Sequence, residues 1–209
     1  MNQPDEIRGI SGRSRSQTIT GIGLFAALAL ALNLSHIQVP APYAPYLIYE
    51  FWEIPIVACL LIFGLYASLA ASAVNTVVLI AVNPGSLASG PIYNFIAVVV
   101  TLGAIVVTHK LNTRLRYRIS FEMIFATGLA ILMRTAVMTV VNYELLPFPA
   151  PLGFNFPIRA VLAALPFIAI FNATLALYTV PIGFAAVKSV SRRLHFKLAY
   201  PLSPVIVKN

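Results

Sequence analysis

A helix-length apolar run between residues 121 and 143 contains two polar side chains that could bind a ligand or a partner, Arg134 and Asn142. At the helical period of 3.6 residues, Arg134, Met138 and Asn142 lie on one face, and Thr139, a further candidate for binding a ligand, lies beside it. A charged side chain inside a bilayer costs several kcal/mol, so such residues usually point into the interior of a helix bundle. The sequence therefore predicts that this face points inward.

Asn142 and Arg134 have different predicted roles. Asn142 lies near the outer end of its apolar run, where a captured ligand would enter. Arg134 lies about 12 Å deeper along a helix. The sequence suggests no acidic partner for it within the apolar runs, so we expect it to contact backbone carbonyls or the floor of a pocket. Its predicted role is a structural anchor.

Three further asparagines, Asn75, Asn94 and Asn172, also lie within apolar runs. Buried amides ordinarily hydrogen-bond neighbouring helices, at about 0.6 kcal/mol each. The alternative is that they line a cavity. Asn172 lies close after Pro166, which cannot donate a backbone hydrogen bond and therefore favours a kink beside the amide. Both interpretations remain open for each asparagine.

The composition is that of a membrane protein. Of its 209 residues, 59% are hydrophobic and only 10% are charged, against about 25% charged in soluble domains. The net charge of +8 does not indicate nucleic-acid binding, because the basic residues form three clusters separated by apolar runs.

Motifs for catalysis, cofactors or metals are not apparent. The single cysteine, Cys59, excludes a disulfide framework within the chain. His36, His109 and His195 are too scattered for a shared metal or a catalytic dyad. No phosphate-binding loop or nucleophile elbow is present. We expect a non-enzymatic protein without cofactor, and any ATP hydrolysis would belong to another subunit.

Six spans fit the need for about 20 apolar residues per crossing, although the second is short. They are 18–34, 53–63, 65–82, 91–109, 121–143 and 160–187, with Gly64 as a tight turn. Twelve of the 14 Lys and Arg residues fall on one side, so both termini are predicted to be cytoplasmic. The prediction is an all-α protein of the cell membrane, with cytoplasmic tails at 1–17 and 191–209 flanking a bundle at 18–190, and an uncleaved first span.

Two outer loops, 38–52 and 145–159, are rich in proline and aromatic residues. An aromatic belt at the membrane surface explains each ring taken singly. Taken together, the loops could cover a ligand site, with Tyr46 and Tyr49 as candidates for stacking on a planar molecule.

Small residues recur every four positions on two spans, as Gly23, Ala27 and Ala31 and as Gly64, Ser68 and Ser72. Such ridges let another helix approach closely. Packing within the bundle and docking of a separate subunit are both compatible with this pattern. A short glycine-containing segment at 84–90 is predicted to be a tight outer turn.

The order of these features resembles the substrate-binding S components of energy-coupling factor (ECF) vitamin transporters. The resemblance lies in the stretches 51–55, 63–64 and 91–95. The stretches 138–143, 146–147, 166–167 and 171–172 are most similar to the riboflavin-binding members. The resemblance to S components extends from the first span to the last.

The resemblance implies capture of a vitamin from outside, by a six-helix bundle that works with a transmembrane T component and two ATPase subunits. Ala27 and Ala31 would match the docking surface for the T component. Asn142 and Asn172 would match amides that bind riboflavin. Leu175 stands where those members usually carry a lysine. An S component for another vitamin and a self-sufficient secondary transporter are the alternatives.

Overall fold

The computed structural model describes residues 14–35, 37–82, 89–115, 119–194 and 198–200. These ranges contain helices α1 (Arg15–Leu34), α2 (Glu53–Phe63), α3 (Leu65–Val82), α4 (Ser89–Leu115), α5 (Ile119–Leu145) and α6 (Ile158–Leu194), and a hairpin of β1 (Val39–Ala41) and β2 (Ala44–Tyr49). The six predicted helices are confirmed, and four of them are longer than expected. Most of the predicted turn at 84–90 and of both predicted tails lies outside the described residues.

Five of these helices are long and apolar enough to cross a membrane. The exception is α2, whose 11 residues extend about 16 Å at 1.5 Å per residue. Helix α1 begins at a capping box, in which Ser14 Oγ accepts from the Gln17 N–H at 3.2 Å and Gln17 Oε1 accepts from the Ser14 N–H at 3.1 Å. The first span therefore starts three residues before the predicted position 18.

A single residue, Gly64, separates α2 from α3, as predicted. Its φ of 94° lies in a region that L side chains rarely adopt. Its N–H donates to the Leu60 carbonyl at 2.8 Å, which closes the last turn of α2.

The hairpin was not predicted, because its segment reads as a proline-rich loop. Strands β1 and β2 are antiparallel, with Val39 opposite Tyr49 and a register shift after Pro40. The hairpin runs beside α6: the rings of Tyr49 and Phe171 are 4.9 Å apart, and Tyr178 Oη donates to the Glu50 carbonyl at 2.6 Å. Since Tyr178 lies about 30 Å along α6 from its start, the hairpin reaches deep into the bundle.

Two apolar cores lie on either side of a polar layer. The polar layer comprises Glu53, Thr101, Arg134 and Asn172. One core contains residues that follow this layer on α2, α4 and α6 or precede it on α5, including Ile56, Leu60, Leu102, Ile105, Ala126, Ala130 and Val180. The other contains residues at the opposite end of the bundle, namely Tyr93, Ala97, Met138, Leu146, Val161 and Ile168. We call the first end the closed end and the second the cavity end.

Candidate binding cavity

A cavity of about 680 Å³ lies at the cavity end of the bundle. Its volume is within the range of small-molecule binding sites. Helices α4, α5 and α6, the hairpin and the α5–α6 connection form its wall. The wall residues are Tyr46, Leu47, Ile48, Glu50, Gly90, Tyr93, Asn94, Ala97, Arg134, Met138, Asn142, Leu146, Phe154, Phe156, Ala160, Ala164, Ile168, Phe171 and Asn172. The cavity is therefore mainly apolar and aromatic, with a few amides and charged groups.

Arg134 reaches the deepest polar part of this wall and is 1% exposed. Its Nη1 and Nη2 donate to the two carboxylate oxygens of Glu53, at 2.5 and 2.7 Å. Its Nε donates to Asn172 Oδ1 at 3.1 Å, and Nη1 also contacts Thr101 Oγ1 at 3.4 Å. One side chain of α5 therefore bonds to α2, α4 and α6.

The expectation that Arg134 has no acidic partner in the bundle is wrong. Glu53 begins α2 and was predicted to lie at the outer edge of the second span, but it lies at the level of Arg134 inside the bundle. Glu53 is 3% exposed, so each charge offsets the cost of burying the other. Arg134 nevertheless lines the floor of the cavity, as expected.

Three of the predicted amides line the cavity: Asn94, Asn142 and Asn172. Asn142 Nδ2 donates to the Met138 carbonyl at 2.7 Å, which uses one of its two amide hydrogens. Asn172 Nδ2 donates to the Ile168 carbonyl at 2.9 Å. Among the described contacts, these bonds leave Asn142 Oδ1 and one N–H of each of these two residues for a ligand. The face of Arg134, Met138 and Asn142 points inward as predicted, and all three residues line the cavity.

Glu50 is a wall residue that the sequence did not suggest. It follows β2, and its Oε1 accepts from Gln38 Nε2 at 3.1 Å. Burial raises the pKa of the Glu50 carboxyl, and the bond from Gln38 opposes part of that rise. In the sequence it looks like a surface acid beside the membrane. It lies in the cavity wall because the hairpin that precedes it packs into the bundle.

Aromatic rings surround the mouth of the cavity. Tyr46 comes from the hairpin, and Phe154 and Phe156 come from the α5–α6 connection, with ring centres 5.9 Å apart. Tyr93 holds this connection, because its Oη donates to the Leu152 carbonyl at 2.8 Å. Flat apolar rings with few polar groups suit a planar ligand.

Three predicted site residues are not part of the wall. Asn75 accepts a bond at 2.9 Å from Asn33 Nδ2, at the contact of α3 with α1. Thr139 lies on α5 outside the wall. Tyr49 packs against α6, and its Oη lies 2.5 Å from that of Tyr43, so it positions the hairpin. Burial and this contact raise the pKa of Tyr43.

The two small-residue ridges have different surroundings. Ser68 and Ser72 are fully buried, so the second ridge serves packing inside the bundle. Gly23, Ala27 and Ala31 are exposed, and a Cβ at Gly23 would meet nothing within 4 Å. The first ridge therefore lies on the exposed side of α1, while its neighbour Gly21 faces α2.

Glu122 lies at the closed end, far from the cavity. Its carboxylate lies 2.6 Å from His109 Nδ1 and accepts from Asn112 Nδ2 at 2.5 Å. The rings of Tyr200 and His109 form a T-shaped contact, and the Tyr200 N–H donates to the Leu61 carbonyl at 3.1 Å. This cluster ties the chain after α6 to α2, α4 and α5.

No family model and no curated protein matches this sequence. Among solved structures, the S component of a bacterial ECF transporter is similar, with a TM-score of 0.71 and 20% sequence identity. The match covers 88% of this chain and 100% of that chain. At this identity the similarity establishes the fold. The chain is therefore an all-α membrane bundle of six helices with the fold of an ECF S component.

Proposed function

We propose that this chain is the substrate-capture subunit of an ATP-driven vitamin transporter, and that it binds riboflavin or a similar planar vitamin from the outer side. The observation that carries the proposal is the cavity itself. It combines aromatic rings at the mouth, three asparagines on the wall and a hairpin that packs across one side. A flavin needs a flat apolar slot together with donors and acceptors for its ring edge and hydroxyls. The fold shared with an S component supports the same assignment.

Riboflavin binding is tested by titrating the purified protein and following the quenching of flavin fluorescence. We expect saturable binding, and we expect Asn142→Ala to weaken it by about 1–3 kcal/mol because a ligand group would be left unpaired. Asn75→Ala is the matched control, since it removes a buried amide away from the wall. Failure of riboflavin to bind the folded protein would refute the riboflavin assignment.

We further propose that the outward ridge of Gly23, Ala27 and Ala31 docks a transmembrane T component, which in turn carries two ATPase subunits. Small side chains let two helix backbones come close together in a membrane, where packing drives association. All three residues are exposed, so the ridge is available to a partner.

The docking proposal predicts that replacing Ala27 and Ala31 together by leucine abolishes co-purification with a T component and spares ligand binding. Ala136→Leu is the control, because Ala136 is an exposed alanine on α5, away from the ridge. Unchanged co-purification of the double variant would exclude the ridge as the docking surface. Uptake by liposomes that contain this chain alone would instead favour a secondary transporter.

A further inference from the structure

The cavity wall contains two charged side chains, Arg134 and Glu50, among the described residues. The charge of Arg134 is already neutralised, because both Glu53 oxygens bind its two terminal nitrogens. Its Nε is also occupied by Asn172 Oδ1. A ligand carboxylate or phosphate would therefore have to displace Glu53 to form an ion pair with Arg134.

Glu50 has no cationic partner among the described residues. In the described parts of the chain the ion pairs are Arg134 with Glu53 and His109 with Glu122. The described polar contacts of the Glu50 carboxylate are with two neutral donors, the amide of Gln38 and the side chain of Trp52. With Glu50 ionised, the wall and its Arg134–Glu53 pair carry one excess negative charge.

We propose that Glu50 is a specificity-determining residue that makes the cavity select uncharged ligands over anionic ones. The proposal rests on the proposed function, since it concerns the ligand of the same cavity. It adds the chemical class of that ligand: an uncharged molecule with N–H or O–H donors.

Two physical effects produce this selection. An anion that enters the cavity loses hydration and finds no unpaired cation on the described wall. The free-energy cost of its desolvation is therefore not offset by an ion pair. Two like charges within about 4–6 Å at a partly buried site also repel strongly, as Coulomb's law at reduced dielectric requires. An uncharged ligand avoids both effects, and a donor on it can form a charge-assisted hydrogen bond to the Glu50 carboxylate.

The test compares riboflavin with riboflavin 5′-phosphate, which differ by one ionised group. Both are titrated at pH 8, to favour the ionised forms of the carboxyl and the phosphate. We expect riboflavin to bind the wild type at least about tenfold more tightly than the phosphate. Glu50→Gln keeps the size of the side chain and an oxygen that can accept from Gln38. We expect this variant to bind the phosphate more tightly, which reduces the preference for riboflavin over the phosphate about tenfold. Glu144→Gln, an exposed acid at the end of α5, should leave the ratio unchanged.

The possible outcomes separate this proposal from the proposed function. A ratio that Glu50→Gln leaves unchanged, or a wild type that prefers the phosphate, overturns the role of Glu50. If neither flavin binds, the flavin assignment fails, and thermal-shift measurements with other matched pairs, such as nicotinamide and nicotinate or pantothenol and pantothenate, test the charge rule independently. Stabilisation by the uncharged member supports it, and stabilisation by the anionic member overturns it.

Discussion

Arg134 and Glu53 show how this bundle keeps a charge inside an apolar interior. Each group would lose several kcal/mol of hydration if buried alone, and their attraction offsets the loss only with good geometry and further hydrogen bonds. Here the guanidinium makes a two-point contact with Glu53, and Asn172 and Thr101 occupy further donors. The pair therefore holds four helices together.

We predict that Glu53→Gln destabilises the protein by about 3–5 kcal/mol, because it leaves the Arg134 charge buried and uncompensated. The double variant Glu53→Leu with Arg134→Leu should lose less stability than Glu53→Leu or Arg134→Leu alone, since both charges are then removed. Unfolding midpoints in a denaturing detergent titration provide the measurement. Glu144→Gln should shift the midpoint little, because this side chain is exposed. Additive losses in the double variant would show that the two groups are not coupled.

Residue-scale reasoning from the sequence succeeded where one helix contained the whole pattern. The spacing of Arg134, Met138 and Asn142 defined the inward face of α5 correctly. It failed for Glu53, which lies 81 residues from Arg134 in the chain, and no local pattern relates the two. It did not decide between the two roles of Asn75, because an amide that binds Asn33 and an amide that lines a cavity look alike in a sequence.

At the scale of elements, the helices were predictable and the hairpin was not. Long apolar runs have few alternatives to a helix in a membrane, since backbone groups must be satisfied internally. Prolines at 40, 42 and 45 argued against strands, because proline cannot donate to a ladder. A two-stranded hairpin has only edge strands, which tolerate proline. Its mutual pairing satisfies part of the backbone hydrogen bonding of the two strands.

Gly21 and Gly23 lie on opposite sides of α1 and give a matched pair of tests. A Cβ at Gly21 would overlap the ring of Phe63 on α2, whereas a Cβ at Gly23 meets nothing within 4 Å. We predict that Gly21→Ala costs about 1–3 kcal/mol of stability through overpacking. Gly23→Ala should change stability by less than about 1 kcal/mol. Thermal unfolding in detergent measures both, and equal effects would contradict the packing of α1 against α2.

At the scale of the whole molecule, the fold followed from hydropathy and the resemblance, but the orientation in the membrane rests on charge alone. The predicted cytoplasmic placement of both termini remains a prediction. The position of the hairpin within the bundle depends on contacts between Tyr49, Phe171 and Tyr178, which are distant in sequence. For this reason the sequence suggested rings near a site but not which of them form the wall.

Cysteine labelling tests the orientation, since the native Cys59 is fully buried and gives a low background. We predict that a membrane-impermeant maleimide labels Phe148→Cys in intact cells, because this exposed residue lies in the α5–α6 connection, which the charge pattern predicts to be on the outer side. Ser189→Cys, exposed near the end of α6, should react only after the membrane is permeabilised. The opposite pattern would reverse the topology and place the cavity mouth inside.

The apolar core below the polar layer has a consequence for transport. Ile56, Leu60, Leu102 and Ile105 fill the closed end and are at most 1% exposed. In the described bundle the cavity is therefore closed at this end and does not form a channel. A molecule that enters the cavity meets a charged base and, beyond it, close-packed side chains. Thermal motion that opens only the mouth of the cavity releases a bound molecule to the side from which it entered. Delivery of a bound molecule to the other side would therefore require a change in the conformation or orientation of the bundle itself, because the cavity does not connect the two sides.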